Sequence, residues 1–162
     1  MHDDIITLSP ITVIGPAIRT SNELEATAGG QISSLYEKFM ADNMSEKIDE
    51  KSDHRIIALY TDYDSDEAGE YTYAIGHQVI DPEDMPSDCE IFDIPGGRYL
   101  RYPSQRGPIN QVLPLVWQEI WAKTQAGELG VTRAFQTDFE FHNYEDPLSA
   151  EVQVDIYLSI KD

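Results

Sequence analysis

The chain carries an internal repeat. Thr61-Asp62-Tyr63-Asp64 returns 76 residues later as Thr137-Asp138-Phe139-Glu140. Upstream, Ile32, Leu35, Tyr36, Phe39 and Met40 are matched 77 residues on by Ile109, Val112, Leu113, Val116 and Trp117. Downstream, Glu70 to Val79 finds a counterpart 81 residues on in Glu151 to Ile160. A repeat of roughly 80 residues is too long for a solenoid unit and reads as a single duplication. Two related modules tend to pack about a pseudo-twofold axis, and the groove along that axis is a natural place for a ligand. The expectation is one domain spanning 1–162, with repeat halves of about 1–81 and 88–162.

Within each half the hydrophobic period changes in the same order. Residues 10–20 read as a strand interrupted near Gly15-Pro16, and Gly29-Gly30 opens an amphipathic helix running to about Asp42. Ile56 to Tyr63 is β-rich, and Tyr71, Tyr73, Ile75, His77 and Val79 alternate as in a half-buried strand. The stretch 43–54 lacks periodicity and reads as a loop or frayed helix end, and 81–87 reads as the link between halves. In the second half a strand over about Glu90–Tyr102, bent at Pro95-Gly96-Gly97, precedes a helix over about Pro108–Gln125. Pro114 should kink that helix or mark its true first turn. Arg133–Tyr144 and Val152–Ile160 supply the last two strands. The predicted class is α+β: duplicated strand–helix–strand–strand modules forming an antiparallel sheet with two helices on one face.

Thirty acids against 11 bases leave a net charge of −19, a field that repels phosphate backbones and excludes a direct nucleic-acid partner. Arg98, Arg101 and Arg106 form the only local basic cluster. The same field concentrates cations, although acidity that serves solubility alone accounts for the composition equally well. No apolar run approaches the ~18 residues of a membrane span, and the N-terminus lacks signal-peptide character. The lone Cys89 fits a reducing cytoplasm, where the chain is expected to reside.

Motif chemistry narrows the field further. Asp62-Tyr-Asp64-Ser-Asp66-Glu67 starts like a calcium loop, but position six is Glu67 where glycine belongs and position twelve is Tyr73. A solvated hairpin turn is the better reading. No zinc, nucleotide or serine-hydrolase motif occurs, so no metal, cofactor or catalytic residue is assigned. Around Glu140 the pattern is more specific. In Phe135-Gln-Thr-Asp-Phe139-Glu-Phe141-His the aromatics share one strand face, and Glu140 takes the other with Gln136, Asp138 and His142. Asp64 holds the matching place in the first repeat. A carboxylate on a sheet near a pseudo-twofold, in a chain with nine tyrosines and two tryptophans, suits an organic cation. On periodicity alone Glu140 also reads as a solvent-facing strand residue, and Trp117 and Trp121, four apart on the apolar stripe, as core.

Taken together, the duplicated order, the block Tyr60-Thr-Asp-Tyr-Asp-Ser-Asp-x-x-Gly-Glu-Tyr-Thr-Tyr-x-x-Gly76, the Ile94-Pro-Gly-Gly-Arg-Tyr99 turn and the Asp138-Phe-Glu140 strand resemble the GyrI-like superfamily. That superfamily includes effector-binding domains of AraC- and MerR-type bacterial regulators, gyrase-inhibitory proteins and integron-cassette drug-binding proteins. The resemblance spans nearly the whole chain. It implies a small-molecule-binding module with its groove between the repeats, in which Glu140 meets cationic, lipophilic ligands. Tyr73, Trp117 and Tyr99 are the expected aromatic walls. Nothing in the sequence resembles the helix-turn-helix domain of such regulators, so the expectation is a stand-alone module for transcriptional regulation or drug sequestration. A protein-interaction role of gyrase-inhibitor type, drawing on the acidic surface, is the alternative. Hydrolysis of cyclopropane-containing DNA-alkylating natural products, with Glu140 as base, is a further one. That chemistry needs a second catalytic group the sequence does not identify, so the balance leans away from an enzyme.

Overall fold

The computed structural model describes residues 5–25, 27, 30–42, 44–48, 56–65, 69–80, 86, 89–142 and 152–161. Its elements run β1 (Ile5–Leu8), β2 (Ile11–Gly15), β3 (Ala17–Ser21), α1 (Asn22–Glu25), α2 (Ile32–Ala41), α3 (Met44–Lys47), β4 (Ile56–Thr61) and β5 (Glu70–Gln78). The second half continues with β6 (Glu90–Ile94), β7 (Gly97–Pro103), α4 (Ile109–Ala126), β8 (Thr137–His142) and β9 (Val154–Ser159). Most of the expected loop over 43–54 and linker over 81–87 lies outside the described residues.

All strands join one nine-stranded antiparallel sheet in the order β1-β7-β9-β8-β4-β5-β2-β6, with β3 continuing β2 along β5. The order reads the same from either edge when the halves are exchanged. Each expected first strand is in fact two, because Pro16 and Pro95 break the ladder they cannot donate to. Short strands cross over between the halves: β1, which precedes the expected first strand, pairs with β7 of the second half, and β6 pairs with β2 of the first.

The bend between β2 and β3 needs glycine. A Cβ on Gly15 would lie 1.9 Å from the Ile75 carbonyl oxygen, and one on Gly76 would lie 1.9 Å from that of Ile14. Two backbones pass there closer than any side chain allows.

At the centre β4 lies beside β8, with Ala58 directly opposite Glu140. Ala58 also pairs with Ile75, and Glu140 with Ile156, the residue matched to Ile75 in the 81-residue repeat. On that matching Ala58 is the counterpart of Glu140. Asp64 is not: it lies beyond the end of β4, paired with Arg19 at 2.6 Å on the surface. The short sequence match misled here because Thr61 and Thr137 are cross-strand partners, from which the two chains run in opposite directions.

Alternation along the central strands sorts the core into two faces. On one face α2 and α4 pack through Phe39 and through Val112, Val116, Trp117 and Ile120. On the other face Ile57, Leu59, Phe139 and Phe141 are covered by residues of β2, β6 and β7. The sheet therefore curls over its own far face. Helix α4 starts at Pro108, keeps Pro114 within its run and ends on Gly127, whose φ of 71° suits the left-handed cap.

Candidate ligand-binding site

Between α2 and α4, over strands β4 and β5, lies a cavity of about 540 Å³. Its walls come from both halves: Ile32 and Tyr36 on α2, Leu113, Trp117 and Trp121 on α4, and Tyr60, Tyr71 and Tyr73 on the sheet. Alternation points every second residue of β4 and β5 toward the helices, which places these tyrosines on the floor. The Tyr60 ring forms the centre of the cluster, with ring centroids of Trp117 at 5.0 Å, Tyr73 at 5.2 Å and Tyr71 at 5.6 Å.

Beneath this floor sits Glu140, which is fully buried. Its Oε2 accepts hydrogen bonds from the Tyr60 hydroxyl and from Trp117 Nε1, both at 2.6 Å. Its Oε1 lies 2.8 Å from His142 Nε2. The three partners all line the cavity, so the carboxylate stands one layer behind the wall. A carboxyl group out of water is tolerated when its oxygens are engaged, and here three side chains engage both of them. Burial, and after it the charge of Glu140, raises the Tyr60 pKa well above the ordinary range, which keeps the phenol a donor. Ala58 leaves the space opposite free of a competing side chain.

A second polar group closes one end. Asp138, also fully buried, accepts from Arg133 Nη2 at 2.6 Å and the Tyr63 hydroxyl at 2.8 Å. Its other oxygen accepts from the Ser159 amide and hydroxyl. Burial, then the charge of Asp138, raises the Tyr63 pKa as well. Glu25, also in the lining, accepts from the amides of Gln31 and Ile32, capping the first turn of α2 with a carboxylate that the helix dipole favours.

Of the four residues expected to meet a ligand, the structure brings Glu140, Tyr73 and Trp117 together and leaves Tyr99 elsewhere. Tyr99 packs on the far face against Phe139, with its hydroxyl on the Pro95 carbonyl. The Pro95 break resets the alternation that would have shown this. Tyr60, Tyr36, Arg133 and His142 were not singled out. For Tyr60 and His142 the signal was present, since strand alternation sets them on the face of Ala58 and Glu140. Arg133 precedes β8 and carried none. Among the described residues no group of three or more metal-ligating side chains occurs, and no helix is long and apolar enough to cross a membrane.

Fold and site together define an α+β small-molecule binder, an aromatic chamber over a buried acid. The chain belongs to the integron-associated effector-binding protein family, Cass2, whose model matches residues 4–160. Over 148 residues it is 32% identical to YobU of Bacillus subtilis (strain 168), which carries the name of a transcriptional regulator; the match covers 91% of this chain and 90% of that one. Among solved structures it resembles an integron cassette protein from the mobile metagenome of Vibrio cholerae, at 23% identity and a TM-score of 0.79 over 97% of this chain and 94% of that. It also resembles SAV2435, solved with tetraphenylphosphonium bound, at 15% identity and a TM-score of 0.77 over 99% of this chain and 94% of that. The chain is thus an effector-binding protein whose ligand is a small molecule.

Proposed function

We propose that the chain captures amphipathic, aromatic cations in the cavity between α2 and α4, with Glu140 as the counter-charge and Tyr60, Tyr73 and Trp117 as the walls. The observation that carries this reading is a fully buried carboxylate under an aromatic floor, a combination that penalises neutral and anionic guests relative to cations. Cation–π attraction of ~0.5–2 kcal/mol per well-placed ring adds to the Coulomb pull of the acid, which a low-dielectric surround strengthens. That SAV2435 is seen with a lipophilic aromatic cation supports the same class of ligand here. The cavity, of about 540 Å³, lies in the range of drug-sized sites.

The acidic surface, net charge −19, is what supports a protein partner, and the aromatic-lined cavity favours the small molecule over it. Both oxygens of Glu140 are engaged by donors, which suits a fixed charge better than a base waiting for water. Regulation or sequestration is accordingly the role we infer, over hydrolysis. Calorimetric titration of a cationic dye and a neutral dye of the same shape tests it. Glu140→Gln keeps the size and, with its amide oxygen toward Tyr60 and Trp117, two of the three hydrogen bonds, but removes the charge. It should weaken the cation by about 5- to 150-fold and the neutral dye much less. Equal losses would leave Glu140 a structural residue.

A further inference from the structure

Among the described residues Arg133 is the cavity-lining residue with buried side-chain donors left unpaired. Its side chain is 2% exposed and lines the cavity. Nη2 is committed to Asp138, but Nε and Nη1 are buried with no hydrogen-bond partner. The guanidinium is not idle hydrophobic filler. It lies 4.3 Å from the Phe135 ring centroid and 6.0 Å from that of Trp117, so its faces are covered while its edge is left unpaired. Phe135 reaches this place at a φ of 52°, a left-handed conformation that a bulky residue rarely adopts. A buried donor without an acceptor is costly, and these atoms are shut off from solvent. Arg133 lines the cavity, so a guest that shifts the side chains covering this edge can supply the acceptor.

We propose that Arg133 forms an acceptor subsite, and that the preferred ligand is an aromatic cation bearing a carbonyl or carboxylate group remote from its charge. Trp117 stands between the two poles: its Nε1 donates to Glu140, and its ring neighbours the guanidinium. A ligand lying against Trp117 therefore presents a cationic end toward Glu140 and an acceptor toward Arg133. The inference deepens the cation reading and rests on the same cavity. It concerns a different pole, however, and it predicts discrimination among cations that Glu140 alone does not supply.

Three related aryl-phosphorus probes separate the two readings by calorimetry. They are tetraphenylphosphonium, its para-carboxyphenyl analogue, and neutral triphenylphosphine oxide, which is a strong acceptor without charge. Wild-type protein should bind the carboxylated phosphonium about 10- to 100-fold more tightly than the plain one, the range expected for hydrogen bonds to a charged group. Glu140→Gln should weaken both phosphoniums and preserve their ratio. Arg133→Met combined with Asp138→Asn removes both members of the buried ion pair together, so neither charge is stranded. The ratio should then fall to near one. A wild-type ratio near or below one, or a preference that survives the double variant, overturns the subsite; should that variant fail to fold, the wild-type ratio alone decides. If neither phosphonium binds, the cation reading fails, and triphenylphosphine oxide judges Arg133. Binding that is lost in the double variant upholds the subsite, and no binding overturns it.

Discussion

Glu140 is held by three donors from three elements: Tyr60 on β4, Trp117 on α4 and His142 on its own strand. Withdrawing one leaves a buried carboxylate oxygen short of a partner, which costs about 1–3 kcal/mol. Trp117→Phe, which keeps an aromatic ring and loses the indole N–H, should therefore lower the unfolding free energy by roughly that amount. Urea denaturation measures it, and an unchanged midpoint would show the bond to be worth nothing. The value of Glu140 was legible because alternation separates it from Phe139 and Phe141 along a strand with strong β character. That it is buried was not legible. Burial depends on α4 closing over it, and no local pattern states where a helix will settle.

At the scale of elements, the order of strands and helices followed from periodicity, whereas the exchange of β1 and β6 did not. β1 is four residues long, and its partner β7 lies some 90 positions away in sequence, so nothing local marks it as a strand. Tyr99 was misplaced for a related reason: it follows the Pro95 break, and the phase on one side of such a break says nothing of the other. The Gly15–Gly76 crossing offers a test of the bend. Gly76→Ala would drive a methyl group into the Ile14 carbonyl, and overpacking of this kind typically costs about 1–3 kcal/mol or more. The thermal midpoint should fall by about 2–12 °C for a domain of this size. Full retention of stability would mean that the two backbones can separate without penalty.

Over the whole molecule, buried tyrosines tie stability to alkaline pH. Burial raises Tyr60 and Tyr63 well above the usual phenol range, raises Tyr71 as well, and pushes Tyr99 up to about 12. A folded-state pKa above the unfolded value near 10 means that the stabilisation is complete below about pH 10. It is lost as pH rises from there through the folded values. Unfolding free energy from urea titrations should thus begin to decline above about pH 10, and Tyr60→Phe with Tyr63→Phe should flatten the decline. A profile level to about pH 12 would contradict the burial assigned to these phenols.

Trp117 and Trp121 are the only tryptophans in the chain, and both line the cavity, with their rings 6.2 Å apart. Tryptophan fluorescence, excited to the red of tyrosine absorption, therefore reports on the site alone. Titrating wild-type protein with tetraphenylphosphonium should give a saturable change at one cation per chain, with its amplitude reduced in Trp117→Phe as Trp121 reports alone. No saturable change up to millimolar cation, or calorimetric binding that leaves both tryptophans silent, would mean that this cavity is not where the chain takes its effector.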